Sequence, residues 1–134
     1  MSISAKKILV VSANRTLHEL AAFAFDVVAR WTVLSATSVS ECLTTAASDA
    51  PDAILIDGRT CGNDVLGLAE KLGRIPATGA IRILLLQPAQ PDKSALHSHP
   101  LLQGVVRESH HPRKLATEVA QVLGWQPWAV KPAN

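Results

Sequence analysis

Short apolar runs and helical stripes of apolar residues take turns along this chain. Residues 8–11 (Ile8, Leu9, Val10, Val11) form a continuous aliphatic run, the mark of a strand covered on both faces. Leu17, Leu20, Ala21, Ala24, Val27 and Val28 then recur at the spacing of one helix face. Asn14 and Thr16 offer oxygens at its start, and Thr16 with Glu19 fits a capping box. Residues 31–34 predict a second strand. Ser38 and Glu41 repeat the capping-box spacing ahead of a stripe made by Val39, Leu43 and Ala46. Pro51 and Asp52 end that helix, and residues 53–56 predict a third strand. After a loop over 58–63, Val65, Leu68, Ala69 and Leu72 predict a third helix. Residues 83–86 carry the most continuous strand signal, ended by Pro88 and Pro91. Pro100 limits residues 93–98 to a short helix. Val105 and Val106 predict a short fifth strand. Leu115, Val119, Val122 and Leu123 mark a last helix, opened near Pro112 and closed by Gly124.

Strands alternating with helices predict an α/β fold with three layers, a doubly wound five-stranded parallel sheet covered by helices on both faces. Its crossovers are expected to be right-handed. In such sheets functional groups gather at the carboxyl ends of the strands. Those ends carry Ser12-Ala13-Asn14, Asp57-Gly58, Gln87-Pro88 and Arg107-Glu108. The domain is expected over residues 5–123. Residues 124–134, with two prolines and two tryptophans, read as a non-helical tail.

Composition narrows the function classes. The length, 134 residues, suits one domain, and 48% hydrophobic against 18% charged residues excludes disorder as an overall state. A net charge of +2, from 13 basic and 11 acidic residues, leaves no electrostatic footprint for nucleic acid. No apolar run approaches the roughly 20 residues that cross a bilayer, so no membrane partner is expected. Residues 1–7 lack an apolar signal core, and Cys42 and Cys61 do not make a disulfide framework. The expectation is a reduced, cytoplasmic protein. No glycine-rich phosphate loop, catalytic-triad spacing or catalytic carboxylate pair stands out, so no enzyme activity is expected.

Several of these runs together resemble the receiver domains of two-component response regulators, over residues 6–123. Lys7-Ile8-Leu9-Val10-Val11 is similar to that family's first strand. Pro51-Asp52-Ala53-Ile54-Leu55-Ile56-Asp57 is similar to its third, which ends in the phosphoacceptor aspartate, here Asp57. Gly62 and Asp64 stand where the family often has a loop glycine and aspartate. Pro76-Ala77-Thr78 and the run from Ile81 to Leu86 match the spacing to the fourth strand, with no gap from Pro51 to Gln87. The resemblance implies flavodoxin-like topology with strand order 2-1-3-4-5.

The departures bear on function. Ser12 and Ala13 occupy the positions of the family's two acidic metal-site residues. Gln87 replaces its Thr or Ser, Arg107 its lysine, Glu108 the following proline, and Gly104 its aromatic switch residue. Asp57 alone of the functional set is retained. A single carboxylate holds Mg²⁺ poorly, so weak or absent Mg²⁺ binding, no other cofactor, and slow or absent phosphorylation are expected. Without the acidic pair the like-charge repulsion disappears, and Arg59 or Arg107 can pair with Asp57 directly.

Other residues read more plainly. Cys61 is a substitution for a loop proline and not a redox sensor. His97, His99, His110 and His111 fit no zinc spacing and read as solvated loop histidines. Arg107, Arg113 and Lys114 read as a solvated helix start. Trp125 and Trp128 can anchor a partner or fold back on the domain.

The expected function is a stand-alone, atypical receiver that signals through protein–protein interaction. By the resemblance, its partner surface spans residues 93–123, opening at Lys93 and closing at Leu123. Two alternatives stay open: a phosphoacceptor regulator served by a histidine kinase at Asp57, and a small-molecule-binding domain with its ligand over Asp57 and Gln87. A homodimer also stays open.

Overall fold

The computed structural model describes residues 6–60, 65–75, 81–87, 102–107 and 111–125. Its elements in chain order are β1 (Lys7–Val11), α1 (Arg15–Ala22), a π-helical segment (Phe23–Val28), β2 (Thr32–Ala36), α2 (Val39–Asp49), β3 (Ala53–Asp57), α3 (Val65–Gly73), β4 (Arg82–Gln87), β5 (Gly104–Arg107) and α4 (Pro112–Leu123). The five strands are parallel and lie in the order β2-β1-β3-β4-β5, the expected flavodoxin-like arrangement. Pro76, Ala77, Thr78, Cys61, Gly62, Asp64, the expected short helix over 93–98, Glu108, His97, His99, His110 and Trp128 lie outside the described residues.

Side-chain alternation along the strands builds the two outer layers. Ile8, Val10, Leu55, Leu84 and Leu86 face α1, the π-helical segment and α4. Leu9, Val11, Ile54, Ile56 and Leu85 face α2 and α3. All of them are buried, which is why the strand signals are continuous apolar runs and not alternating ones. Burying each such side chain stabilises the fold by about 1.5–3 kcal/mol.

The helix ends follow local chemistry, with one change from expectation. Asn14, not Thr16, caps α1: its side-chain oxygen accepts from the backbone N–H of Thr16 at 2.9 Å and of Leu17 at 3.3 Å. Asn14 wins because it immediately precedes the first helical residue, Arg15, and has an extended backbone, as an N-cap requires, whereas Thr16 already lies inside the helix. At α2 the Ser38–Glu41 pair caps as expected, with Glu41 N–H donating to Ser38 Oγ at 3.1 Å. Glu41 Oε1 reaches one residue further back, accepting from Thr37 N–H at 2.6 Å. Pro112 opens α4 and Gly124, at φ 75°, closes it in the left-handed conformation glycine tolerates.

The first helix departs from a single stripe. At Phe23 it widens into π turns, and the N–H of Ala29 bonds the carbonyl of Ala24, five residues back, at 3.1 Å. Widening rotates the later residues, so Phe25 and Ala29 enter the core while Val27 is 54% exposed. Phe25 stacks on the buried Trp31, ring centroids 5.5 Å apart. Among the described residues no helix is long and apolar enough to cross a membrane.

Candidate functional site

β1 and β3 are hydrogen-bonded neighbours, and their carboxyl ends bring Ser12 and Asp57 together. Both are buried, Ser12 completely and Asp57 at 3% exposure. A carboxylate so far from water needs partners to offset its lost hydration. The Ser12 hydroxyl donates to Asp57 Oδ2 at 2.8 Å. Ser12 Oγ in turn accepts the N–H of Asn14 at 2.9 Å, which orients the hydroxyl proton toward the carboxylate.

Asp57 Oδ1 is met from the following loop. The Arg59 N–H donates to it at 3.2 Å and the Arg59 Nε at 3.3 Å, an ion pair whose arginine is half exposed. The backbone part of this contact is a short-range turn in which an aspartate accepts from the N–H two residues on. Of the two arginines expected to reach Asp57, Arg59 does so. Arg107 stands at the end of β5, two strands from β3, with an exposed side chain; its own N–H donates to Glu118 Oε2 at 3.1 Å. Adjacent strands are about 4.8 Å apart, so β5 lies roughly 10 Å from β3.

Ala13 places an exposed methyl group beside Ser12, and its N–H donates to Thr60 Oγ1 at 2.8 Å. Gln87 ends β4 opposite Arg107, at 9% exposure. Two further contacts had no signal in the sequence. Thr60 ties the loop after β1 to the loop after β3, and His18 Nε2 donates to the Ser12 carbonyl at 2.6 Å. A carbonyl only accepts, so Nε2 carries the proton. The histidine touches the serine main chain and not its hydroxyl, so Asp57, Ser12 and His18 do not form a nucleophilic relay.

Gly104 sits where the resemblance expects an aromatic residue, and it lies tight against α4. A methyl group built on it would come 2.6 Å from Val122 Cγ1. Helix and strand therefore meet at a distance that only glycine permits.

This arrangement, a buried aspartate at the end of the central strand of a 2-1-3-4-5 sheet, defines a receiver-type fold. Known structures agree. The chemotaxis response regulator CheY4 of Vibrio cholerae superposes with a TM-score of 0.77 at 16% identity, over 89% of this chain and 99% of that one. A candidate response regulator from Chloroflexus aurantiacus gives 0.75 at 25% identity, over 90% and 99%. A response regulator from Thermotoga maritima gives 0.76 at 16% identity, over 90% and 99%. No protein-family model and no curated protein matches the sequence. The fold is that of a response-regulator receiver domain.

Proposed function

We propose that this chain is a receiver-type signalling module that works through protein–protein interaction, with a site held by its own side chains in place of Mg²⁺. The observation that carries this reading is the set of contacts around Asp57: Ser12 Oγ on one carboxylate oxygen and Arg59 on the other. Phosphoryl transfer to a carboxylate needs the incoming negative charge neutralised, and Mg²⁺ takes oxygen ligands in near-octahedral geometry. The groups beside Asp57 do not fit such a cage. Ser12 supplies a neutral oxygen already donating to Asp57, Ala13 supplies none, and a guanidinium rests on Oδ1. Among the described residues no three His, Cys, Asp or Glu side chains cluster in a way that could hold a metal ion.

The response-regulator neighbours support a role in signal transduction. The partner surface is assigned to residues 93–123, of which β5 and α4 are described. The test is intact-mass measurement after incubation with acetyl phosphate and Mg²⁺. The expected result is no covalent phosphoryl group on the wild-type chain. Clean addition of one group, abolished in Asp57→Ala, would replace this reading with that of a phosphoacceptor served by a histidine kinase.

A further inference from the structure

We infer that the open edge of β2 is a self-association surface, on which a second copy of this chain adds its own β2 antiparallel to the first. β2 is an end strand of the sheet and pairs with β1 alone among the described residues. The Thr32 N–H donates to the Lys6 carbonyl at 2.7 Å, and the Ala36 carbonyl accepts from the Ser12 N–H at 3.0 Å. Thr32 and Ala36 therefore turn their backbone groups toward β1. Backbone direction alternates along a strand, so Val33 and Ser35 turn theirs to the open side. Exposed edges are normally blunted by a lysine, a proline or a bulge. The edge over Thr32–Ala36 has no charged residue and no proline, and it follows β1 in unbroken register.

The outward groups fix how a second copy fits. With the two-fold axis at Leu34, Val33 of one copy lies opposite Ser35 of the other, and each such pair exchanges both of its N–H···O bonds. A groove of about 480 Å³ runs beside this edge, with Ala22, Asp26 and Arg30 on its helical wall and Trp31, Val33 and Ser35 on the strand side. Two-fold pairing sets the helical walls of the two copies on the same face of the joined sheet, facing one another. Each wall carries one acid and one base, Asp26 and Arg30, both exposed and without an ion-pair partner among the described residues. Such a wall is complementary in charge to its own two-fold copy. Arg30 holds its place at φ 65°, a left-handed backbone that glycine adopts freely and arginine only at a cost. A cation kept there in spite of the strain is explained by a charge that it meets in the assembly. Phe23 and Val27, next in sequence to the wall residues Ala22 and Asp26, add apolar surface at 51% and 54% exposure. β5 is the other edge of the sheet, so a dimer joined at β2 leaves β5 uncovered on both copies and offers a partner two docking surfaces. The dimer itself does not depend on the reading of Asp57.

The test is analytical ultracentrifugation of the full chain over a range of concentrations at low salt. The expected result is a reversible monomer–dimer equilibrium. Ser35→Pro removes an N–H on the open side and keeps the bonds to β1, so it should yield monomer with an unchanged circular dichroism spectrum. Asp26→Arg and Arg30→Asp, both at exposed positions, probe the same interface should the proline disturb the strand. Each alone sets like charges against each other across the axis and should weaken the dimer about tenfold or more. An equimolar mixture of the two should recover it as a heterodimer, because one wall is then wholly basic and the other wholly acidic. A wild-type chain that stays monomeric at every concentration would overturn the inference. So would a dimer that all three variants leave intact, which would place the contact elsewhere, the β5 edge included.

Discussion

Ser12→Ala tests the physical core of the site. The substitution removes one hydroxyl, changes little volume, and leaves a buried carboxylate oxygen without the donor that meets it at 2.8 Å. Hydrogen bonds to charged groups are worth about 1.5–3 kcal/mol. Arg59 stays on Oδ1 and does not replace the lost bond on Oδ2. The Asn14 N–H, released from Ser12 Oγ, is near enough to solvent to find water, so it adds little. The expected destabilisation is therefore about 1.5–3 kcal/mol. With an unfolding entropy of about 2.1 cal/mol/K per residue, a domain of this length loses roughly 3.5 °C of Tm per kcal/mol, so Tm should fall by about 5–10 °C. Thermal and urea unfolding followed by circular dichroism measure it. Repeating the substitution in an Asp57→Asn background isolates the charge: between neutral partners the same bond is worth only about 0.5–1.5 kcal/mol. The reasoning fails if Ser12→Ala leaves Tm within a degree of wild type. It fails equally if the loss is undiminished when Asp57 is already neutral.

Three other outcomes follow from the same structure. Introducing the family's acids with Ser12→Asp and Ala13→Asp should lower stability without metal, through repulsion with Asp57. The variant should then gain Tm on titration with Mg²⁺, whereas the wild type should not respond. Gly104→Ala should cost about 1–3 kcal/mol because its new methyl meets Val122, and Val122→Ala should recover most of that loss in a double-mutant cycle by urea unfolding. Asn14→Ala should cost about 1 kcal/mol as a lost helix cap while Thr16→Ala costs under about 0.5 kcal/mol; equal losses would return the cap to Thr16.

The two faces of the sheet were legible because β1, β3 and β4 are buried on both sides and need continuous apolar runs. The runs at residues 8–11, 53–56 and 83–86 have no other economical explanation. The edges were less clear. β2 was expected over 31–34 and forms over Thr32–Ala36, since an edge strand is only partly buried and carries a weaker pattern, which its exposed polar Ser35 conceals further. The π-helical turn was not visible, because a spacing stripe assumes a constant period and one widened turn shifts every residue after it. Phe25, fully buried, was missed for that reason.

At the site, the chain alone placed Asp57 at the end of its strand and showed that Ser12 and Ala13 are not acids. Those are matters of residue type and order, which local pattern carries. It left open whether Arg59 or Arg107 meets Asp57, and it said nothing of Thr60 or His18. Tertiary structure decided these points. Which side chains converge depends on the order of strands in the sheet, and that order is set by packing between residues far apart in the chain. With β3 beside β1 and β5 two strands away, Ser12 and Arg59 lie within reach of the carboxylate, and Arg107 is left facing water.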